Sequence, residues 1–275
     1  MKSLLAATAL LIAAPLSAEP LIFDNGRLFI QARINGMPAE ALLDSAAEAT
    51  LVDPQLAKVA KLGEGQEIDI RGSGGVAKAR IVEGVSLEAI DIKVTPEAVV
   101  ITDLSELSSR LIKRSTVLVM GRELFDAARL QIDVAKGTIA QVPASEVPPG
   151  QQLALTPHAG VESLPVTVNG LKAQAEFDLG NGSEVLISRA MANRLGLKVA
   201  GTKTGGGIGG QVNRDLVVLK QLDVAGQSFQ DVPAAIDDQP SANDLNVGTS
   251  ILKSFLITTD FKQRSIWLQP VKAPN

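Results

Sequence analysis

Two aspartates sit in settings that could do chemistry: Asp44, within AEALLDSAAEAT from Ala39 to Thr50, and Asp178, within AQAEFDLGNGS from Ala173 to Ser183. In each stretch an apolar-rich strand runs into one aspartate and then into small residues that suit a tight turn. Asn35-Gly36 lies nine residues before Asp44, and Asn169-Gly170 nine before Asp178, so turn, strand and aspartate recur in one register. One carboxylate per half, in the same setting, points to two carboxylates meeting at a pseudo-twofold axis. Two carboxylates about 3 Å apart cannot both ionise comfortably and share a proton. The ionised one can then act as general base on a water while the protonated one acts as general acid. That chemistry requires no metal and no covalent intermediate, which suits a chain with no Cys and one His.

The elements that would position these aspartates also come in pairs. Arg27 to Ile34 places Leu28, Ile30, Ala32 and Ile34 on alternate positions, the period of a half-buried strand, and Asn35-Gly36 turns it back on Ala39 to Leu43. After Asp44 come Thr50-Leu51-Val52 and then Asp53-Pro54, an N-cap with proline at the first helical position, so a short helix is expected to about Leu62. Arg71 to Arg80, RGSGGVAKAR, reads as a mobile glycine-centred hairpin containing Gly74 and Gly75. Alternating strands are expected through Ile90 to Thr95, a helix over Leu104 to Ile112, and a buried strand, a helical turn after Gly121 and a hairpin over Val117 to Gln141.

Pro143 to Gly150, PASEVPPG, breaks every period and marks a linker over 144–150. Beyond it the plan returns: Ser163 to Val168, the Asn-Gly turn, the strand to Asp178, a helix capped by Ser188 and running to about Leu195, and the hairpin TGGGIGGQV from Thr204 to Val212, with Gly207, Ile208 and Gly209 at its tip. Gly121 to Asp133 and Gly248 to Asp260 have the same spacing, and Ile139 with Ile266 and Pro143 with Pro270 keep the same offset of 127. A period near 130 is too long for a solenoid and indicates a duplicated domain.

Composition narrows the rest. At 275 residues and 45% hydrophobic content the chain can build sizeable cores. Only 3% is aromatic and the net charge is −4, which argues against a nucleic-acid partner. Met1 to Ala18 reads as a secretory signal with Lys2 at its positive end and cleavage after Ala18, so the chain is expected to be exported, to the periplasm, with no membrane insertion after cleavage. Without cysteine, no disulfide staples the exported fold. Gly205-x-Gly207-x-x-Gly210 matches the dinucleotide fingerprint formally, but Asp215 to Leu222 after it has a strand's pattern, so a flap hairpin is the better reading. His158 is expected at the surface. As the one His it leaves little for a serine triad or a histidine-based zinc site, so no metal and no cofactor is expected. Asp133 and Asp260, in the closing hairpins, are expected to be structural.

The ordered set of apolar strand, aspartate, small-residue turn, helix, glycine-rich hairpin and apolar strand ending in glycine resembles one lobe of the retropepsin-like and pepsin-like aspartic proteases. Asp44-Ser45-Ala46-Ala47 and Asp178-Leu179-Gly180 stand where that family has its D-[TS]-G motif. The segments VLVMG and LNVG, ending at Gly121 and Gly248, resemble the strand that braces the active loop. The resemblance implies an all-β fold of two tandem acid-protease β-barrel lobes, 19–143 and 151–275, each with one or two short helices. It implies Asp44 and Asp178 as the catalytic pair, supported by Ser45, Ala46, Leu179 and Gly180, with the two glycine hairpins as flaps over an extended peptide or protein substrate. Aspartic proteases are the standing example of a shared carboxyl proton. A monomer with internal pseudo-twofold symmetry follows.

The chain departs from the motif at two points. Leu179 replaces the hydroxyl residue and Ala46 the glycine, so each copy keeps one of the two features. An aspartic endopeptidase and a catalytically inactive peptide-binding protein on the same scaffold are both compatible with this, as is an all-β interaction module with a vestigial cleft.

Overall fold

The computed structural model describes residues 18–271. The segment up to Ser17, which carries most of the expected secretory signal, lies outside them. The described residues form three sheets: one from each half and one shared.

The N-terminal half begins with Arg27–Ile34 folded back on Met37–Leu43 through Asn35-Gly36, whose φ angles of 49° and 78° suit the twisted two-residue turn that Asn-Gly favours. The C-terminal half repeats this with Val161–Val168 and Leu171–Phe177 around Asn169-Gly170, at 46° and 83°. In each half the aspartate follows the second strand of that hairpin. A third strand lies parallel beside the second: Leu118–Met120 against Met37–Leu43, and Leu245–Val247 against Leu171–Phe177. Leu43 and Phe177 are fully buried, so the apolar residues just before each aspartate anchor the strand ends in the core.

Short helices follow where the caps predict them. Asp53 accepts from the Gln55 N–H at 2.9 Å and starts Pro54–Val59, and Ser188 accepts from the Met191 N–H at 3.3 Å and starts Arg189–Arg194. Two local expectations are corrected. Ile90 is no strand residue: with Asp91 it forms a turn at φ 53° and 55° between Leu87–Ala89 and Ile92–Val94. The segment expected as one helix over Leu104 to Ile112 is a single α-turn, Ser105–Leu107, running into a wider π-helical turn, Ser108–Ile112, which ends at Lys113 with φ 56°.

The closing hairpins do not stay within their own halves. Leu130–Asp133 pairs antiparallel with Phe255–Asp260, and Glu19–Pro20, Thr138–Gln141, Ser265–Pro270 and Gln151–Ala154 complete one six-stranded sheet across both halves. Asp260 serves this junction: its carboxylate pairs with buried Arg129 at 3.0 Å, and that guanidinium also lies over the Trp267 ring and donates to the carbonyls of Pro143, Ala144 and Glu146. Asp133 accepts from the Lys136 N–H at 2.9 Å within its turn. Among the described residues, no helix is long and apolar enough to cross a membrane.

Candidate active site

Both aspartates leave their strands under the same backbone control. The Asp44 N–H donates to the Met120 carbonyl at 3.0 Å, and the Asp178 N–H to the Val247 carbonyl at 3.1 Å. Gly121 and Gly248, one residue further on, lie where the active loops press closest. A Cβ at Gly121 would stand 2.8 Å from the Ala47 carbonyl oxygen, and one at Gly248 would stand 2.1 Å from that of Asn181. Beyond Gly121, Glu123 accepts from the Thr50 N–H at 2.7 Å and from its hydroxyl at 3.0 Å, fastening the far end of the Asp44 loop.

The two loops are tied together by Ser45. Its buried hydroxyl donates to the Phe177 carbonyl at 2.8 Å and accepts from the Leu179 N–H at 2.9 Å, bracketing Asp178 from the other half of the chain. Leu179 returns no such bond. Its side chain is fully buried in the core instead. Gly180 supplies the close approach: a Cβ there would fall 2.3 Å from the Asp44 Cγ, so any larger residue would displace that carboxylate. Ala46, standing where the motif has glycine, contributes its N–H to Asp44 at 2.9 Å.

The carboxylates differ in what holds them. One Asp44 oxygen accepts from the N–H groups of Ala46 and Ala47, at 2.9 and 3.1 Å. Asp178 is held at both oxygens, with Oδ1 accepting from the Asn181 N–H at 2.9 Å and Oδ2 from the Asn246 side-chain amide at 2.7 Å. Burial, and then the charge of Asp178, pushes the Asp44 carboxyl up to about 7. Burial also raises Asp178, and the Asn246 amide opposes that rise. Arg27, itself buried, lies close enough for its charge to favour ionisation of both, and its guanidinium donates to the Leu111 carbonyl at 3.1 Å.

The hairpin glycines meet one another. The Gly74 N–H donates to the Ile208 carbonyl at 2.9 Å. A Cβ would stand 2.1 Å from the Gly210 oxygen if placed at Gly74, 2.3 Å from the Gly75 carbonyl carbon if placed at Gly209, and 2.2 Å from the Ser73 hydroxyl if placed at Gly207. Ile208 packs against an apolar cluster of Phe29, Leu42, Leu104, Ile112 and Val119, joined by Ala47 of the Asp44 loop. Arg110, from the π-helical turn, donates to the Gly205 and Gly210 carbonyls and holds the same hairpin down.

Sequence reasoning did not single out Arg27, Glu176, Asn246 or Arg110. The readable signal was the mismatch between copies: Asn246 in LNVG stands where the first copy has Val119, and Glu176 stands where it has Leu42. His158 lies at the surface, as expected. It is half-exposed at the end of the strand Thr156–His158, and its Nδ1 lies 3.5 Å from Glu176, a neighbour that the sequence did not reveal. Among the described residues, no three His, Asp or Glu side chains converge as metal ligands.

A family model described as aspartyl protease matches residues 30–124 and again residues 164–251, together about two thirds of the chain. Among solved structures, a retropepsin-like aspartic protease from Rickettsia conorii is similar at 18% identity and a TM-score of 0.33, over 43% of this chain and 87% of that one. No curated protein matches. With each matched segment holding one aspartate between a backbone-fixed strand end and a bracing glycine, the chain belongs to the aspartyl protease family and carries the family's unit twice.

Proposed function

We propose that the chain is an aspartic endopeptidase in which Asp44 and Asp178 share one proton and activate a water against a peptide bond held between the two halves. The observation that carries this reading is the Ser45 hydroxyl, which crosses from one aspartate's loop to the backbone on both sides of the other. A brace there fixes the two carboxylates relative to each other, which a two-carboxylate mechanism needs and a pair of turn-forming aspartates does not.

The roles follow from the surroundings. Asp178, with donors on both oxygens, is the better carboxylate and serves as general base. Asp44, with donors on one oxygen and its carboxyl raised to about 7, keeps the proton and serves as general acid toward the carbonyl oxygen. The substrate is an extended peptide or protein segment, met outside the cytoplasm by a monomeric enzyme.

Replacing either aspartate tests the reading. Pepstatin-sensitive cleavage of unfolded protein should fall by roughly 10²- to 10⁴-fold in both Asp44→Asn and Asp178→Asn, the usual contribution of a positioned acid or base. Undiminished cleavage in both variants would sink it. One observation favours a second reading, a peptide-binding protein without turnover: Leu179 offers no hydroxyl to return the brace. Saturable binding of peptides that are never cut would decide for it.

A further inference from the structure

The strand faces that carry the two aspartates match position for position across the duplication. On the Asp44 side, Phe29, Leu42, Val119 and Leu51 are cross-strand neighbours in one row. On the Asp178 side the same row reads Ser163, Glu176, Asn246 and Leu186. Leu42 and Glu176 each lie two residues before their aspartate, so strand alternation puts them on the aspartate's own face. Three apolar positions have become polar, and one of them carries a charge.

The two rows also differ in cover. Phe29, Leu42 and Val119 are 1%, 3% and 1% exposed beneath Leu104, Ile112 and Ile208. The covering segment lies between Val99–Ile101 and Leu118–Met120 and carries both helical turns. Its counterpart, between Gln227–Asp237 and Leu245–Val247, holds only residues 238–244 and no helix. Glu176, Asn246 and Leu186 accordingly stay partly open.

Within that opening the Glu176 carboxylate is poorly neutralised. It accepts from Asn246 at 3.1 Å and faces His158 at 3.5 Å, and among the described residues no Lys or Arg comes within 4.0 Å of it. The Nδ1 of His158 is itself buried, and among the described residues it has no hydrogen-bond partner. A largely desolvated carboxylate beside a second acidic group is costly unless a cation joins it.

We infer that this face is a subsite for a cationic side chain, lysine or arginine, at one of the two peptide positions flanking the scissile bond, with Glu176 as its counter-charge. The inference rests on the peptidase reading above. On the opposite side the row is filled by the chain's own Leu104, Ile112 and Ile208, so selectivity is one-sided and comes from the Asp178 half. Burial raises the Glu176 carboxyl, the Asn246 amide and His158 oppose the rise and the Asp178 charge adds to it, which fits a group that a positive partner would favour in its charged form.

The test uses fluorogenic peptides that differ only in carrying Lys, Leu or Glu at each flanking position. The full chain should favour Lys over Leu by about ten- to hundredfold in kcat/KM, the value of a charge-assisted hydrogen bond in a desolvated site. Glu176→Gln should lose that preference, and Glu176→Leu, which installs the residue of the other copy, should reverse it. Dyad-dependent cleavage with no preference for Lys, or a preference unchanged in both variants, overturns the subsite. If no peptide is cut in a dyad-dependent way, the peptidase reading falls separately. The subsite is then judged on Asp44→Asn protein by fluorescence anisotropy: tighter binding of the Lys peptide, lost when Glu176→Gln is added, upholds it, and equal binding of all three overturns it.

Discussion

Asp44 and Asp178 follow equivalent strands and donate the same backbone bond to a bracing strand that runs into a close-packed glycine, yet the surfaces beside them have opposite character. Beside Asp44 the row is Phe29, Leu42 and Val119, sealed under Ile208 and the turns of 105–112. Beside Asp178 it is Ser163, Glu176 and Asn246: Ser163 is buried, while Asn246 donates to Glu176 and to Asp178, and these two row residues, Glu176 and Asn246, stay partly open. Backbone geometry is what duplication keeps, because the strand pairing and the braces have to match across the axis. Side-chain polarity is free to diverge, and the divergence has chemical direction. An apolar neighbourhood raises the cost of charge on Asp44, while an amide donor lowers it on Asp178, which is the inequality that the proposed division into an acid and a base needs.

The largest effect in this comparison should come from the one glycine that separates the halves at the dyad. Gly180→Ala puts a methyl group where the Asp44 carboxyl lies, and a shift of the order of 1 Å in a reacting group costs about 10²-fold in rate. We expect kcat/KM to fall by at least that much with a folded, cooperative melt. The mirror change, Ala46→Gly, should leave kcat/KM within a few-fold of the parent, since it removes a methyl group the site already accommodates.

Making the polar side resemble the apolar one should move the pH profile. Asn246→Val removes the donor that holds Asp178 ionised, so its carboxyl rises and the acidic limb of kcat/KM moves to higher pH. A hydrogen bond to a charged group is worth about 1.5 to 3 kcal/mol, or roughly one to two pH units. An unmoved acidic limb would show that Asn246 has no hold on the base. Stability offers a second reading of the same asymmetry. Asp44 holds its proton more tightly folded than unfolded, from an ordinary 3.8 up to about 7, so its contribution is full below about pH 4 and lost as pH rises through 7. Asp44→Asn removes that dependence. Its melting temperature should therefore gain most on the parent above pH 7 and least below pH 4.

How much of this was legible in the sequence depends on the range of the interaction. The Asn-Gly turns, the caps at Asp53 and Ser188 and the paired glycines at 121 and 248 are local or repeat-borne signals, and they identified the strand ends that hold the aspartates. The shared sheet was not legible: two hairpins 127 residues apart look the same whether each stays in its own half or, as with Leu130 to Asp133 and Phe255 to Asp260, they pair together. Arg27 was read as the start of an alternating strand, and nothing in its neighbours reveals that its guanidinium turns inward toward two carboxylates. Glu176 and Asn246 stood in plain view inside apolar runs, but the overall likeness of the copies drew attention to what matched. The asymmetry between the two sides lies in what did not match.

The smallest expected effect concerns the hairpin tips, where Ile208 and Ser73 occupy equivalent turn positions. Ile208 is half-buried on the apolar cluster, so Ile208→Ser forfeits about 1 kcal/mol of burial, near half the value of a fully buried isoleucine. That burial exists only while the hairpin is closed, so the loss falls on closure and not on the dyad. KM should rise by about fivefold with kcat nearly constant, since 1.4 kcal/mol corresponds to tenfold. Ser73→Ile is the control from the other tip: the polar row offers an isoleucine no equivalent surface, so KM should change less. If both tips respond alike, the hairpins close by their mutual backbone contacts alone, and the difference between the two sides is confined to the floor of the site.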